Sequence, residues 1–233
     1  MKKIFKILGG LIIVVAIGFS TFVGWSLYPH KNTLSLPNLL VSNDSDEGTK
    51  RIQTAALKAD YEPLSAWYQA QSLVSFCGVA SSVTVLGALG QQMSQNEFFT
   101  DETSKIRSKM SVIFGGMSLP ELSGLLRAHN LQVVLRHADA FEVGEFREAL
   151  ITNLANEDDY LIINYQREVL GQGRVGHISP IAAFDQATDS VLIMDSAAHK
   201  YPPTWAPLEL VYAAMKTTDT ASGMMRGYIE VSR

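Results

Sequence analysis

Cys77 is the only cysteine in the 233-residue chain. It has no internal disulfide partner, so its reactivity is the first property to weigh. It stands in Phe76-Cys77-Gly78, directly before Val79-Ala80-Ser81-Ser82-Val83-Thr84-Val85-Leu86-Gly87-Ala88-Leu89, a run of small and apolar residues that predicts a buried helix. A cysteine at a helix N-terminus meets unpaired N–H groups and the positive end of the helix dipole, and both favour the thiolate. The competing reading is a buried cysteine that packs as a small hydrophobe.

A thiol nucleophile also needs a base for its proton and a group that orients the base. The chain has five histidines. His30 lies in a polar N-terminal stretch, His129 late in a predicted helix, His137 in a polar loop and His199 before Lys200-Tyr201. His177 differs from these. It follows the glycine-rich Gly171-Gln172-Gly173-Arg174-Val175-Gly176 and opens a predicted strand, and Asp195 closes the next one. A hairpin that turns symmetrically about Gln186 sets His177 opposite Asp195, with Cβ atoms about 5 Å apart unless a bulge shifts the register. The competing reading is a surface His–Asp pair. Gln71 precedes Cys77 by six residues. From there an amide N–H can reach a developing oxyanion beside the Cys77 backbone N–H.

These groups need elements to hold them. Residues 102–112 predict a polar helix. Leu119 to His129 has apolar residues at helical spacing, with Ser118 as N-cap and Glu121 three residues inside. Phe141 to Asn153 predicts an amphipathic helix. The period then changes. Val133-Val134-Leu135, Tyr160 to Tyr165, His177 to Phe184, Ser190 to Asp195 and Gly227 to Val231 predict strands. Asp185-Gln186-Ala187-Thr188-Asp189 carries turn chemistry. Helices first and an antiparallel sheet later predict an α+β fold.

Lys2, Lys3 and Lys6 precede 22 uncharged residues from Ile7 to Tyr28. That is about the length needed to cross a bilayer core. Residues 1–28 are therefore expected to be an uncleaved signal anchor, with a cleaved signal peptide as the alternative. Trp25 and Tyr28 lie at the interface and the body faces out of the cytoplasm. In a bacterium this means a single-pass inner-membrane protein with a periplasmic domain, or a secreted one after cleavage. Residues 29–51 are expected to be a polar linker and residues 52–233 one catalytic domain. The net charge of −4 and the absence of a Lys/Arg cluster after the anchor argue against nucleic acid.

Nucleophile, then histidine, then aspartate is the order of the papain-like cysteine peptidases. Phe76-Cys77-Gly78-Val79-Ala80-Ser81, Gly176-His177-Ile178-Ser179-Pro180, Lys200-Tyr201-Pro202-Pro203-Thr204-Trp205 and Ser222-Gly223-Met224-Met225-Arg226-Gly227-Tyr228 together resemble phytochelatin synthases of the short, prokaryotic type. The resemblance runs from about Leu64 to Val231. It implies a papain-like fold, with the nucleophile helix packed on a C-terminal antiparallel sheet. It also implies glutathione, free or as metal–glutathione complexes, as substrate. The thiolate attacks the Cys–Gly bond, glycine leaves, and a second glutathione or water takes the γ-glutamylcysteinyl group. By the same resemblance Cys77 is the nucleophile, His177 the base and then the acid, Asp195 its orienting partner and Gln71 an oxyanion donor. Asn164, Gly176 and Arg226 are then residues of the γ-glutamyl subsite. A homodimer is among the assemblies it allows.

No cofactor is expected on the protein. Cadmium, zinc or copper enter as thiolate complexes of the substrate, because one cysteine makes no metal-sensing cluster. One position departs from the family: Ala198 stands three residues after Asp195, where members commonly carry an arginine. That departure moves the expectation from chain elongation towards hydrolysis. Two other classes remain in view. One is an exported papain-like peptidase acting on peptides, and the other a thiol or metal-binding module with Cys77 as ligand.

Overall fold

The computed structural model describes Val15, Ile17, Gly18 and residues 21–233. The expected membrane segment, residues 1–28, lies largely outside that range. Helix α1 is described over residues 21–27. Among the described residues no helix is long and apolar enough to cross a membrane.

The order of elements after α1 is β1 (Val41–Ser42), α2 (Asp46–Thr54), α3 (Tyr61–Trp67), α4 (Cys77–Ala88), α5 (Asp101–Ile106), α6 (Lys109–Gly115), α7 (Leu119–Ala128), β2 (Gln132–His137), α8 (Val143–Asn153), β3 (Asp159–Gln166), β4 (Gly176–Asp185), β5 (Ser190–Ile193), β6 (Thr204–Pro207), α9 (Leu208–Met215) and β7 (Gly227–Ser232). The strands form one seven-stranded sheet in the order β1-β6-β5-β4-β3-β7-β2, and every pairing is antiparallel. This is the α+β architecture expected from the sequence.

Both faces of the sheet are covered, which explains why Tyr160 to Ile163 is apolar without alternation. Tyr160 and Ile162 pack on one side with Phe76, Val79, Val83 and Leu122. Leu161, Ile163 and Tyr165 pack on the other with Phe146, Leu150 and Val211. The two-residue period of a strand sorts neighbours into two cores. Helix α4 is buried from Gly78 to Gly87, so it has no polar face to show.

Three expectations need correction. Residues 29–51 are not a free linker. Val41 and Ser42 add an edge strand to Trp205 and Thr204, and Ser45 caps α2 by accepting from the Gly48 N–H. The Asn32 and Leu34 N–H groups donate to the His199 and Lys200 carbonyls. Ser45-Asp46-Glu47 is an N-cap followed by an acidic first turn, which a polar composition disguises. The folded body thus takes in chain well before residue 52. Second, residues 102–112 form two helices. Arg107 is extended (φ −149°), and Ser108 starts α6 by accepting from the Ser111 N–H. Third, the β4–β5 hairpin is not symmetric about Gln186. Asp185 pairs with Ser190, Phe184 with Val191 and Ala183 with Leu192, and a bulge then shifts the register so that Ile181 faces Ile193. β5 ends there, and Asp195 lies beyond the ladder.

Candidate active site

Cys77 is the first residue of α4, and the N-cap, Phe76, offers no side-chain cap. The N–H groups of the first turn therefore have no intrahelical acceptor. The Ser81 hydroxyl donates to the Cys77 carbonyl (2.8 Å) and lies 3.0 Å from the Ile178 carbonyl. It thereby fastens the nucleophile's turn to the strand that carries His177. Gly78 lets Met117 and Ile178 approach the helix closely. A Cβ there would sit 2.6 Å from Met117 Sδ and 3.2 Å from Ile178 Cδ1.

His177 and Asp195 meet despite the bulge. His177 Nε2 lies 3.0 Å from Asp195 Oδ1. This bond assigns the tautomer: Nε2 donates to the carboxylate, and Nδ1 is left to accept the thiol proton. Asp195 also accepts from the Ala197 N–H (2.8 Å) and from Arg167 Nη2 on both oxygens (2.6 and 2.7 Å). Sequence reasoning missed Arg167. It follows directly on β3, 2 % exposed. Its Nη1 donates to Gln172 Oε1 (2.8 Å), and its guanidinium lies 5.2 Å from the centre of the Tyr201 ring. Gln172 is five residues on, but the partners that define the role of Arg167, Asp195 and Tyr201, lie 28 and 34 residues further along, so nothing local in the sequence marks it.

The electrostatics favour an ion pair. Burial pushes the Cys77 thiol up, but the His177 charge and backbone N–H groups of Ile178 and Gly78 outweigh it, and the thiol falls below its ordinary 9.0. Burial and Arg167 pull His177 down, while Asp195 and Cys77 pull it up and prevail. Burial works against the Asp195 carboxylate, yet His177 and Arg167 hold it well below the usual carboxylate range. Both shifts run in the direction that favours a thiolate–imidazolium pair, beside a carboxylate held in its charged form.

Gln71 lines the same cavity. Its Nε2 donates to the Leu73 and Val74 carbonyls (3.1 and 2.9 Å), and both protons are then engaged. In this geometry the side chain braces the loop that leads to Cys77, and its Oε1 is buried without a partner. Donation to an oxyanion requires one of those bonds to exchange. Its backbone N–H donates to the Ser196 carbonyl (2.8 Å), which ties the nucleophile loop to the aspartate loop.

The cavity has a volume of ≈ 460 Å³, in the range of small-molecule pockets. Its lining also holds Asn164, Gly176 and Arg226 together with a residue the sequence reading did not single out, Asp219. Asn164 Nδ2 donates to Asp219 Oδ2 (3.1 Å), and Arg226 Nη2 lies 3.8 Å from Asp219 Oδ1. Arg226 Nη1 is fixed by Thr217 Oγ1 (3.1 Å) and the Thr218 carbonyl, and Nε is buried without a partner. A Cβ at Gly176 would approach Arg226 Nη2 to 2.9 Å. A cation and an anion side by side suit a ligand end that carries both charges. Ala197, His199 and Lys200 also line the cavity, on either side of Ala198.

His30 stacks on Trp25, and His129 is buried against Phe98, so neither lies in the site. Among the described residues no group of three His, Cys, Asp or Glu side chains is placed to hold a metal.

A family model described as phytochelatin synthase matches residues 31–228. Curated relatives include glutathione gamma-glutamylcysteinyltransferase 3 of Lotus japonicus, 34% identical over 73% of this chain and 37% of its own. Glutathione gamma-glutamylcysteinyltransferase 2 of Arabidopsis thaliana is 29% identical over 89% of this chain and 47% of its own. The enzyme of that name from Schizosaccharomyces pombe is 30% identical over 83% and 49%. The chain thus spans between a third and a half of the length of these relatives.

Proposed function

The chain belongs to the phytochelatin synthase family, and from that premise we propose that it transfers the γ-glutamylcysteinyl group of glutathione through a thioester on Cys77. The observation that carries this reading is the placing of two sites in one cavity. Cys77 and His177, the latter bonded to Asp195, line one and the same cavity as the Asp219–Arg226 charge pair. A γ-linked glutamyl group presents a free α-carboxylate and a free α-ammonium at its tip. Arg226 suits the first and Asp219 the second, with Asn164 holding Asp219. An α-linked peptide has no such doubly charged tip in mid-chain.

The Cys77 thiolate attacks the carbonyl carbon of the Cys–Gly bond. The backbone N–H of Cys77 receives the oxyanion. His177, already protonated, gives its proton to the glycine nitrogen as the C–N bond breaks and glycine leaves. The same imidazole then takes a proton from the acceptor, either water or the amine of a second glutathione. As the acceptor bonds to the carbonyl carbon, the C–S bond breaks and the thiolate returns. Asp195 keeps Nε2–H donating throughout, so that Nδ1 stays on the sulfur side, and Arg167 fixes Asp195. Soft metal ions enter as thiolate complexes of glutathione and so as substrate. The uncharged run from Ile7 to Tyr28 supports a single-pass anchor with the catalytic body outside the cytoplasm.

The relatives share one transferase name, which disfavours the peptidase reading. The test is glycine release from glutathione by the protein and by Cys77→Ser, with mass spectrometry of the products. We expect a γ-glutamylcysteinyl adduct on Cys77 and no turnover by the variant. Equal glycine release by the two proteins overturns the proposal. The ratio of dipeptide to phytochelatin, with and without Cd²⁺, assigns the acceptor. With alanine at 198, the dipeptide is expected to dominate.

A further inference from the structure

Away from the cavity, polar side chains from three elements lie near one another with buried oxygen atoms left unpartnered. Asp60 is the N-cap of α3, Asn153 ends α8 and Asp159 starts β3. The Ala59 N–H donates to the Leu154 carbonyl (3.1 Å), which sets the first two side by side. Asp159 interacts with both, electrostatically with Asp60 and by a side-chain contact with Asn153. Asp60 and Asn153 are 1 % and 3 % exposed, and Asp159 is half-buried at the lip.

Eleven buried side-chain atoms lack a partner among the described residues, and five belong here: both Asp60 oxygens, both polar atoms of Asn153 and Asp159 Oδ1. Asp60 makes no cap bond. The residue at N3, a usual donor, is Pro63, which has no N–H. Nearby cations are spent elsewhere. Lys58 donates to the Ile52 and Gln53 carbonyls, and Arg233 to the Leu89 carbonyl. A buried carboxylate without a counter-charge is strongly disfavoured.

We propose that Asp60, Asp159 and Asn153 bind one calcium ion, which ties the start of α3 to the end of α8 and the start of β3. The available donors are carboxylate and amide oxygens, the hard set that Ca²⁺ prefers. Its six to eight ligands at about 2.3–2.6 Å leave places for water at the Asp159 lip. The strict octahedron of Mg²⁺ and the sulfur preference of Cd²⁺ fit this set less well. The role is positional: α3 packs on the nucleophile helix so closely that a Cβ at Gly87 would meet Trp67 at 2.9 Å.

Proton linkage gives the site a signature. Burial first, and Asp159 second, push the Asp60 carboxyl up to about 9 without a metal. Such a group stabilises the fold below its unfolded value of 3.8 and loses that contribution as pH rises through about 9. Calcium reverses the sign, because binding expels the proton and tightens as pH rises.

The test is calorimetric titration of Ca²⁺ into the chelator-treated full-length protein, in two buffers of different ionisation enthalpy, with thermal melts alongside. We expect one ion per chain, release of about one proton near neutral pH, a higher Tm, and a weaker response to Mg²⁺. Asp60→Asn should weaken binding at least tenfold, and Cys77→Ser should bind as the parent does. Should Asp60→Asn fail to fold, Asp159→Asn at the lip replaces it. The proposal is overturned if the parent protein shows neither heat nor a Tm shift, which would mean a protonated Asp60 with ordered water. It is equally overturned if both aspartate variants bind normally, or if Cys77→Ser abolishes binding.

Discussion

The charge of Asp195 is shared between His177 and Arg167, and the two partners act on the histidine with opposite sign. Asp195 raises the His177 pKa and Arg167 lowers it. Asp195→Asn should therefore lower the His177 pKa, and the Cys77 thiolate, now without its cationic neighbour, should form at higher pH. Arg167→Met should move the basic limb of the rate profile upward instead. Thiolate absorbance and single-turnover acylation followed against pH check both shifts. A common direction in the two variants would refute the assignment. The Asp195 variant should also lose at least about a hundredfold in kcat, the usual worth of a positioned base.

Gly176→Ala tests the Asp219–Arg226 part of the cavity. The new methyl would press on Arg226 Nη2 at 2.9 Å, so KM for glutathione should rise severalfold while the acylation pH profile stays put. At this scale the grouping of Cys77, His177 and Asp195 was legible from residue type and chain order, although the register that paired the last two was not the one observed. Arg167 and Asp219 were not, because a charge earns its role from partners that only folding brings near.

Secondary structure was legible where local chemistry was strong. The Ser118–Glu121 capping box forms as expected, with the Glu121 carboxylate accepting from the Ser118 N–H at 2.8 Å. The apolar run after Cys77 is a buried helix. Short elements were not legible. β6 and α9 follow each other without a turn at Pro207–Leu208, and no period develops in four residues. The hairpin shows how a correct contact can follow from a wrong register. The bulge between Ile181 and Ala183 shifts the ladder, and the end of β5 frees Asp195 to fold back onto His177. Ser81 is the joint between the nucleophile helix and β4. Ser81→Ala should cost about 1 kcal/mol in denaturant unfolding, the usual worth of one buried hydrogen bond. It should also lower kcat more than it raises KM.

For the molecule as a whole, the sheet has two edges, and the N-terminal chain closes one of them. β1 covers β6, and Asn43 Oδ1 accepts from the Trp205 indole at 3.1 Å. A protein shortened to begin at Ser45 would leave the β6 edge open to other chains. We expect a lower Tm and concentration-dependent association, checked by thermal melts and light scattering. The α+β class was legible from the change of period alone. The extent of the folded body was not, since a two-residue strand has no pattern to detect.

The same N-terminal chain has a mechanical consequence. The Asn32 and Leu34 N–H groups hold the His199 and Lys200 carbonyls, and those two residues form part of the cavity wall. Tension drawn along the chain from its N-terminal side reaches these two rungs before it reaches the sheet. Were that side held taut, the pull would meet the cavity wall at Val74, whose N–H donates to the Leu27 carbonyl, and then at His199 and Lys200, while His177, rooted in the sheet behind it, would keep its place.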